Sequence, residues 1–156
     1  MANRSVVNPI LLGSLIAGAL DITYACIFSY VRSGRKPIVV LQSVASGALG
    51  RNAYEGGVKT AALGLGFHFL IALIAAGVYF FASRVLRFMI TQAVICGMFY
   101  GLFVYLVMNC IVLRISAIHV TTWPWSYPKS VLIGGLLIHI FGIGLPIALV
   151  TRKYSK

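Results

Sequence analysis

Four long apolar runs decide what this chain can become. They extend from Pro9 to Val31, Thr60 to Ser83, Phe88 to Leu113 and Ser130 to Val150. The last three contain no Asp, Glu, Lys or Arg, and the first contains one charge, Asp21. A helix crosses a bilayer in roughly 20 residues, and each run is that long. In lipid every backbone N–H and C=O must be satisfied within its own segment, which makes the runs helices. The alternation that marks barrel strands is absent. The expected fold is therefore an all-α membrane protein, a four-transmembrane-helix bundle formed by one integral membrane domain over residues 1–156. Composition agrees. Hydrophobic residues make up 60% of the chain and charged residues 10%, whereas a soluble domain carries roughly 25% charged residues. Such a chain cannot cover its own surface in water, and it is too apolar to stay disordered.

Thirteen Lys and Arg against two Asp and Glu give a net charge of +11. A basic excess can signal nucleic acid, but here the cations sit singly between the apolar runs. That spacing suits anionic lipid headgroups and argues against a nucleic-acid partner. With four spans both termini share a side. That side holds Arg4, Arg84, Arg87, Arg152, Lys153 and Lys156, six in all. The other holds Arg32, Arg35, Lys36, Arg51, Lys59, Arg114 and Lys129, seven in all. The near tie barely orients the chain; the two Arg of the short second connection and the basic tail favour cytoplasmic termini. Ala17-Gly18-Ala19 has the small-x-small look of a leader cleavage site, but apolar character resumes beyond Asp21, so a retained span is expected. Cys26, Cys96 and Cys110 lie in apolar runs without CxxC or Cys/His spacing and read as small packing residues, not zinc ligands.

A fifth apolar segment, Ile38 to Leu49, is too short to cross. Pro37 can open a helix there. Ile38, Leu41, Ala45 and Leu49 fall on one side of it; Gln42, Ser43, Ser46 and Gly47 fall on the other. The segment is expected to be a short interfacial or re-entrant helix between the first two spans. The connection from Arg114 to Lys129 carries Trp123, Trp125 and Tyr127, residue types that settle at headgroup level. An anchoring belt is the expectation, with a lid or ligand-stacking role as the alternative.

Helices in lipid pack through small residues. Each run has a small-residue stripe: Gly13 and Ala17 in the first, Gly64 and Ala72 in the second, Gly97 and Gly101 in the third, Gly135 and Gly142 in the fourth. Polar residues share these stripes. Asp21 lies on the first, His68 on the second and His139 on the fourth, so all three should face the bundle interior. At 1.5 Å per residue they lie about 15, 12 and 14 Å from one shared face, close to a single level. Asn109 lies nearer that face, and Tyr24, Tyr79, Tyr100 and Tyr105 add hydroxyls.

This polar centre admits several readings. A hydrogen-bonded layer would fix helix register. A proton or ion path would use a titrating Asp21 relayed by the histidines. Bis-histidine haem b would be held by His68 and His139 on two parallel helices. An intramembrane enzyme is disfavoured: paired carboxylates, HExxH and GxSxG are missing, and Gly56-Gly57 with Lys59 lacks the P-loop spacing. The reading that follows is a non-enzymatic polytopic protein whose polar centre handles an ion, a proton or a small molecule. No cofactor is expected unless the haem reading holds.

The segment Gly13 to Asp21 (GSLIAGALD), the stretch Pro37 to Gly50 (PIVVLQSVASGALG), Gly56-Gly57 and the run Ala62 to Phe69 (ALGLGFHF) together resemble a family of small bacterial four-span inner-membrane proteins of unknown function. Tyr100-Gly101, Tyr105 and Met108-Asn109 fit the same pattern. The resemblance covers roughly residues 10 to 115. Where relatives often have a Pro-Leu pair after the third helix, this chain has Arg114-Ile115 and a longer, Trp-richer loop. The resemblance implies the four-span fold and a bacterial inner membrane, and it implies no reaction. A homo-oligomer, or an accessory subunit of a larger membrane assembly, is the expected setting for so small a chain.

Overall fold

The structure, a computed structural model, describes residues 6–155; Arg4 and Lys156 of the charge map lie outside them. The described chain is helical and forms no strand. Four helices are long and apolar enough to cross a membrane: α1 (Val7–Ser33), α3 (Gly57–Val85), α5 (Ala93–Ile115) and α6 (Lys129–Lys153). Two shorter helices join them, α2 (Pro37–Leu49) and the single turn α4 (Phe88–Thr91). The long helices extend the apolar runs by a few residues at most ends, because a helix continues through its polar flanks until something stops it.

The stops are local. Gly34 ends α1 in a left-handed conformation, φ +67°, and its N–H donates to the Tyr30 carbonyl at 2.8 Å. Nothing lies within 4 Å of where a Cβ would sit, so the glycine serves the backbone and not packing. Pro37 occupies the first turn of α2, where a missing N–H costs nothing. The third apolar run does not form one helix from Phe88. Gln92 leaves helical geometry (φ −103°, ψ 39°) and separates α4 from α5. A run without a charged residue hides such a break from hydropathy, although the polar pair Thr91-Gln92 marks its place.

Small residues set the packing. Gly13 meets Ile147 of α6 and Ala76 of α3, and Ala17 is fully buried beside them. A Cβ at Gly64 would collide with the Leu41 backbone of α2. Gly97 and Gly101 let α5 lie directly on α6, whose own Gly144 faces the Gly97 carbonyl. Gly135 rests against the Tyr105 ring, and Gly142 against Ile138 and Leu20. α1 therefore packs on both α3 and α6, and α5 packs on α6. The seam between α3 and α5 is drawn together by Tyr79 and Tyr100, whose rings meet edge to face at 5.0 Å, and by Tyr100 Oη donating to the Ala75 carbonyl at 2.7 Å. Further along, towards Phe67 on α3 and Leu113 on α5, it opens into a groove.

α2 lies across that open end. Its Gln42 and Ser46 are buried, and Gln42 Nε2 donates to the Gly57 carbonyl at 3.0 Å. The face docked on α3 mixes both sides of the expected pattern, burying Gln42, Ala45 and Ser46, while Ser43 is exposed and Leu49 is 43% exposed. The Ala117 N–H donates to the Gly47 carbonyl and ties the loop after α5 to the same helix. The opposite end gathers the short α3–α4 connection and the chain's C-terminal turn, with Arg84 donating to Ser155 Oγ at 3.1 Å. Between the two ends the outer surface is apolar, with Ile74, Phe81, Phe99 and Phe103 more than half exposed.

Candidate functional site

Asp21, His68, Asn109 and His139 line one cavity of about 250 Å³ at the centre of the bundle. The rest of its wall is apolar, including Ala17, Ala72, Val104 and Ile143. Four helices each contribute one polar side chain: α1 supplies Asp21, α3 His68, α5 Asn109 and α6 His139. The small-residue stripes explain the convergence. Each polar residue shares a helix face with the glycines and alanines that bring the helices together, so packing the small residues turns the polar ones inward.

Hydrogen bonds orient three of the four. His68 Nε2 lies 2.9 Å from the Gly18 carbonyl of α1. A carbonyl oxygen only accepts, so Nε2 carries the proton. His68 Nδ1 then faces Asp21 Oδ2 at 4.0 Å, the two side chains being 13% and 20% exposed. That distance is beyond a direct hydrogen bond and within strong coulombic coupling. Nδ1 is therefore the ring atom turned toward the carboxylate, across a gap that no direct hydrogen bond closes.

His139 donates Nδ1–H to the Gly135 carbonyl at 2.9 Å, which leaves Nε2 as an acceptor when the ring is neutral. Asn109 Nδ2 donates to the Tyr105 carbonyl at 2.9 Å, which leaves its Oδ1 as an acceptor. Both bonds reach the carbonyl four residues back. Both residues also sit in the first turn of a π-helical segment, Met108–Val112 in α5 and Ile138–Gly144 in α6. Such segments are rare and frequent at functional sites, because the extra residue re-aims the side chains around it. Sequence reasoning missed both. The one available signal was a polar side chain within an apolar helix, able to bond to its own backbone four residues earlier.

Other residues of the expected centre lie elsewhere. Tyr24 does not line the cavity; it stacks on Phe28 with ring centroids 5.5 Å apart and lies against Gly134 of α6. Tyr105 stands behind His139, ring edge to face at 5.3 Å, and its buried hydroxyl has no hydrogen-bond partner among the described residues. Trp123 and Trp125 stack at 4.7 Å and 10° on the loop after α5, and the Arg114 guanidinium covers Trp123 at 3.5 Å from the ring centroid. Tyr127 follows them, half-buried. This aromatic stack belongs to the same end of the bundle as α2 and stands apart from the polar cavity. Among the described residues no three His, Cys, Asp or Glu side chains are grouped to hold a metal ion. Comparison with protein families, curated proteins and solved structures finds no match for the chain.

Proposed function

We propose that this chain is a multi-pass protein of a bacterial inner membrane whose centre binds a proton together with a small polar group within the bilayer. It acts by binding and transfer, not by making covalent bonds. The carrying observation is the Asp21–His68 pair in a common cavity with Asn109 and His139: Nε2 is committed to Gly18, so Nδ1 is the ring atom that faces the carboxylate. An ionisable group at such depth is costly and marks proton or substrate paths in membrane proteins. The inner-membrane setting draws on the family resemblance and on the apolar outer surface. In this setting α2 lies half-inserted at one membrane face, Trp123, Trp125 and Tyr127 anchor that face, and basic residues at both ends meet anionic headgroups. The exposed apolar helices leave room for a second copy or a larger membrane partner.

Haem b, the other reading of the two histidines, is less well supported. His68 directs one nitrogen to Gly18 and the other to Asp21. The cavity, at about 250 Å³, is smaller than the roughly 300–1,000 Å³ of pockets that take drug-sized ligands. A small polar group suits it better than a macrocycle.

Proteoliposomes loaded with a pH-sensitive dye test the proposal. Under an imposed membrane potential the wild type should move protons faster than empty liposomes, and Asp21→Asn should return the rate to that background. Equal rates in the wild type and Asp21→Asn would overturn it.

A further inference from the structure

The polar cavity is not closed on all sides. Val44, Ile71, Met108 and Leu113 line it and also line a second cavity, an apolar groove of about 430 Å³ between α2, α3 and α5. The groove follows the open part of the α3–α5 seam, and its rim residues Leu70 and Ile74 are 49% and 58% exposed. Its two serines offer no free proton: Ser43 Oγ donates to the Val40 carbonyl at 2.6 Å and Ser116 Oγ to the Leu113 carbonyl at 2.8 Å. The groove therefore suits a hydrocarbon chain, and its inner end reaches a polar centre.

That centre is rich in acceptors. Among the described residues no hydrogen bond reaches the Asp21 carboxylate. Asn109 Oδ1 and His139 Nε2 are left over by the bonds that hold the rest of each side chain. A ligand whose head group donates a hydrogen bond would complement them. A neutral donor suits a cavity whose remaining wall is apolar, where burying a further charge is costly. We propose that the ligand is a single-chain amphiphile with a hydroxyl head, which enters sideways from the bilayer. Its chain lies along the groove, and its hydroxyl donates into the cavity beside Asp21 and His68. This rests on the proposed intramembrane centre and names the class of molecule that the centre takes.

Hexadecan-1-ol carrying a photoreactive diazirine in mid-chain tests it, with the full chain in phospholipid nanodiscs. Labelling should fall on α3 and α5 peptides around Leu70, Ile74 and Val112 and should saturate. Excess hexadecan-1-ol should displace it; hexadecane and hexadecylamine should not. Asp21→Leu should weaken apparent binding by about tenfold, the loss of one hydrogen bond. Ile74→Trp fills the groove from its exposed rim, where folding tolerates it, and should abolish saturable labelling. Labelling that never saturates would overturn the inference, as would equal displacement by hexadecane or hexadecylamine. A dimer cross-linked through Ile74→Cys that excludes the probe would assign the groove to a second copy instead. Proton movement without added alcohol is independent of these results, so it can survive the loss of the amphiphile.

Discussion

At the scale of single residues, the centre depends on where each polar atom finds its partner. Two tyrosines show the contrast. Tyr100 Oη donates to the Ala75 carbonyl across the α3–α5 seam, whereas the Tyr105 hydroxyl is buried with no partner among the described residues. A satisfied hydrogen bond contributes about 1 kcal/mol, and an unsatisfied buried group costs about 1–3 kcal/mol. Tyr100→Phe should therefore destabilise the bundle by about 1 kcal/mol, and Tyr105→Phe should leave it unchanged or stabilise it by a similar amount. Thermal unfolding in detergent distinguishes them, and a clear loss in Tyr105→Phe would contradict the assignment. The four cavity residues were legible in the sequence, because an acid, two imidazoles and an amide stand out in apolar helices and share faces with small residues. The place of Tyr24 and Tyr105 was not. A tyrosine carries enough apolar ring to pack anywhere in a bundle, and only the neighbouring helix decides which way it turns.

At the scale of elements, close helix contact depends on absent side chains. A Cβ at Gly101 would meet the His139 carbonyl and the Ile140 backbone, neither of which can swing away. Gly101→Leu should push α5 off α6 and cost about 1–3 kcal/mol, the usual penalty of overpacking. It should also weaken the cavity, because His139 and Asn109 lie on the displaced faces. Gly66→Leu, at a position with nothing within 4 Å, serves as the control and should unfold with the wild type. Equal effects of the two would contradict the packing account. The small-residue stripes were readable as periodicity. The π-helical turns and the break at Gln92 were not, since both depend on which carbonyl each N–H finds, and hydropathy is blind to that. The docking of α2 was half readable. Its two-sided pattern is plain in the sequence, yet burial of Gln42 and Ser46 requires the Gly57 carbonyl and the α3 surface to be in place.

At the scale of the whole molecule, charge divides between two ends. Arg84, Arg87, Arg152 and Lys153 gather at one; Arg51, Lys59, Arg114 and Lys129 gather at the other. If the apolar middle spans a membrane, single cysteines at Arg87 and Lys153 should react alike with an impermeant maleimide applied to one side. Cysteines at Arg51 and Lys129 should react only from the opposite side. Labelling of Arg51→Cys and Lys153→Cys from the same side would contradict the four-span arrangement. The near-even division of cations explains why sequence could give the topology but hardly its direction. It also isolates the acids: Asp21 lies inside the bundle, while Glu55 is exposed beyond α2.

The most direct measurement is of the contact between Asp21 and His68. Solid-state NMR of the protein in bilayers, with 13C-labelled Asp and 15N-labelled His, reads it as a dipolar coupling between the Asp21 carboxyl carbon and the His68 ring. His68 Nε2, 2.9 Å from the Gly18 carbonyl, should carry a proton, and Nδ1, 4.0 Å from Oδ2, should couple to the Asp21 carboxyl carbon. A bare Nε2 with the proton on Nδ1, or no coupling between the two side chains, would contradict this arrangement.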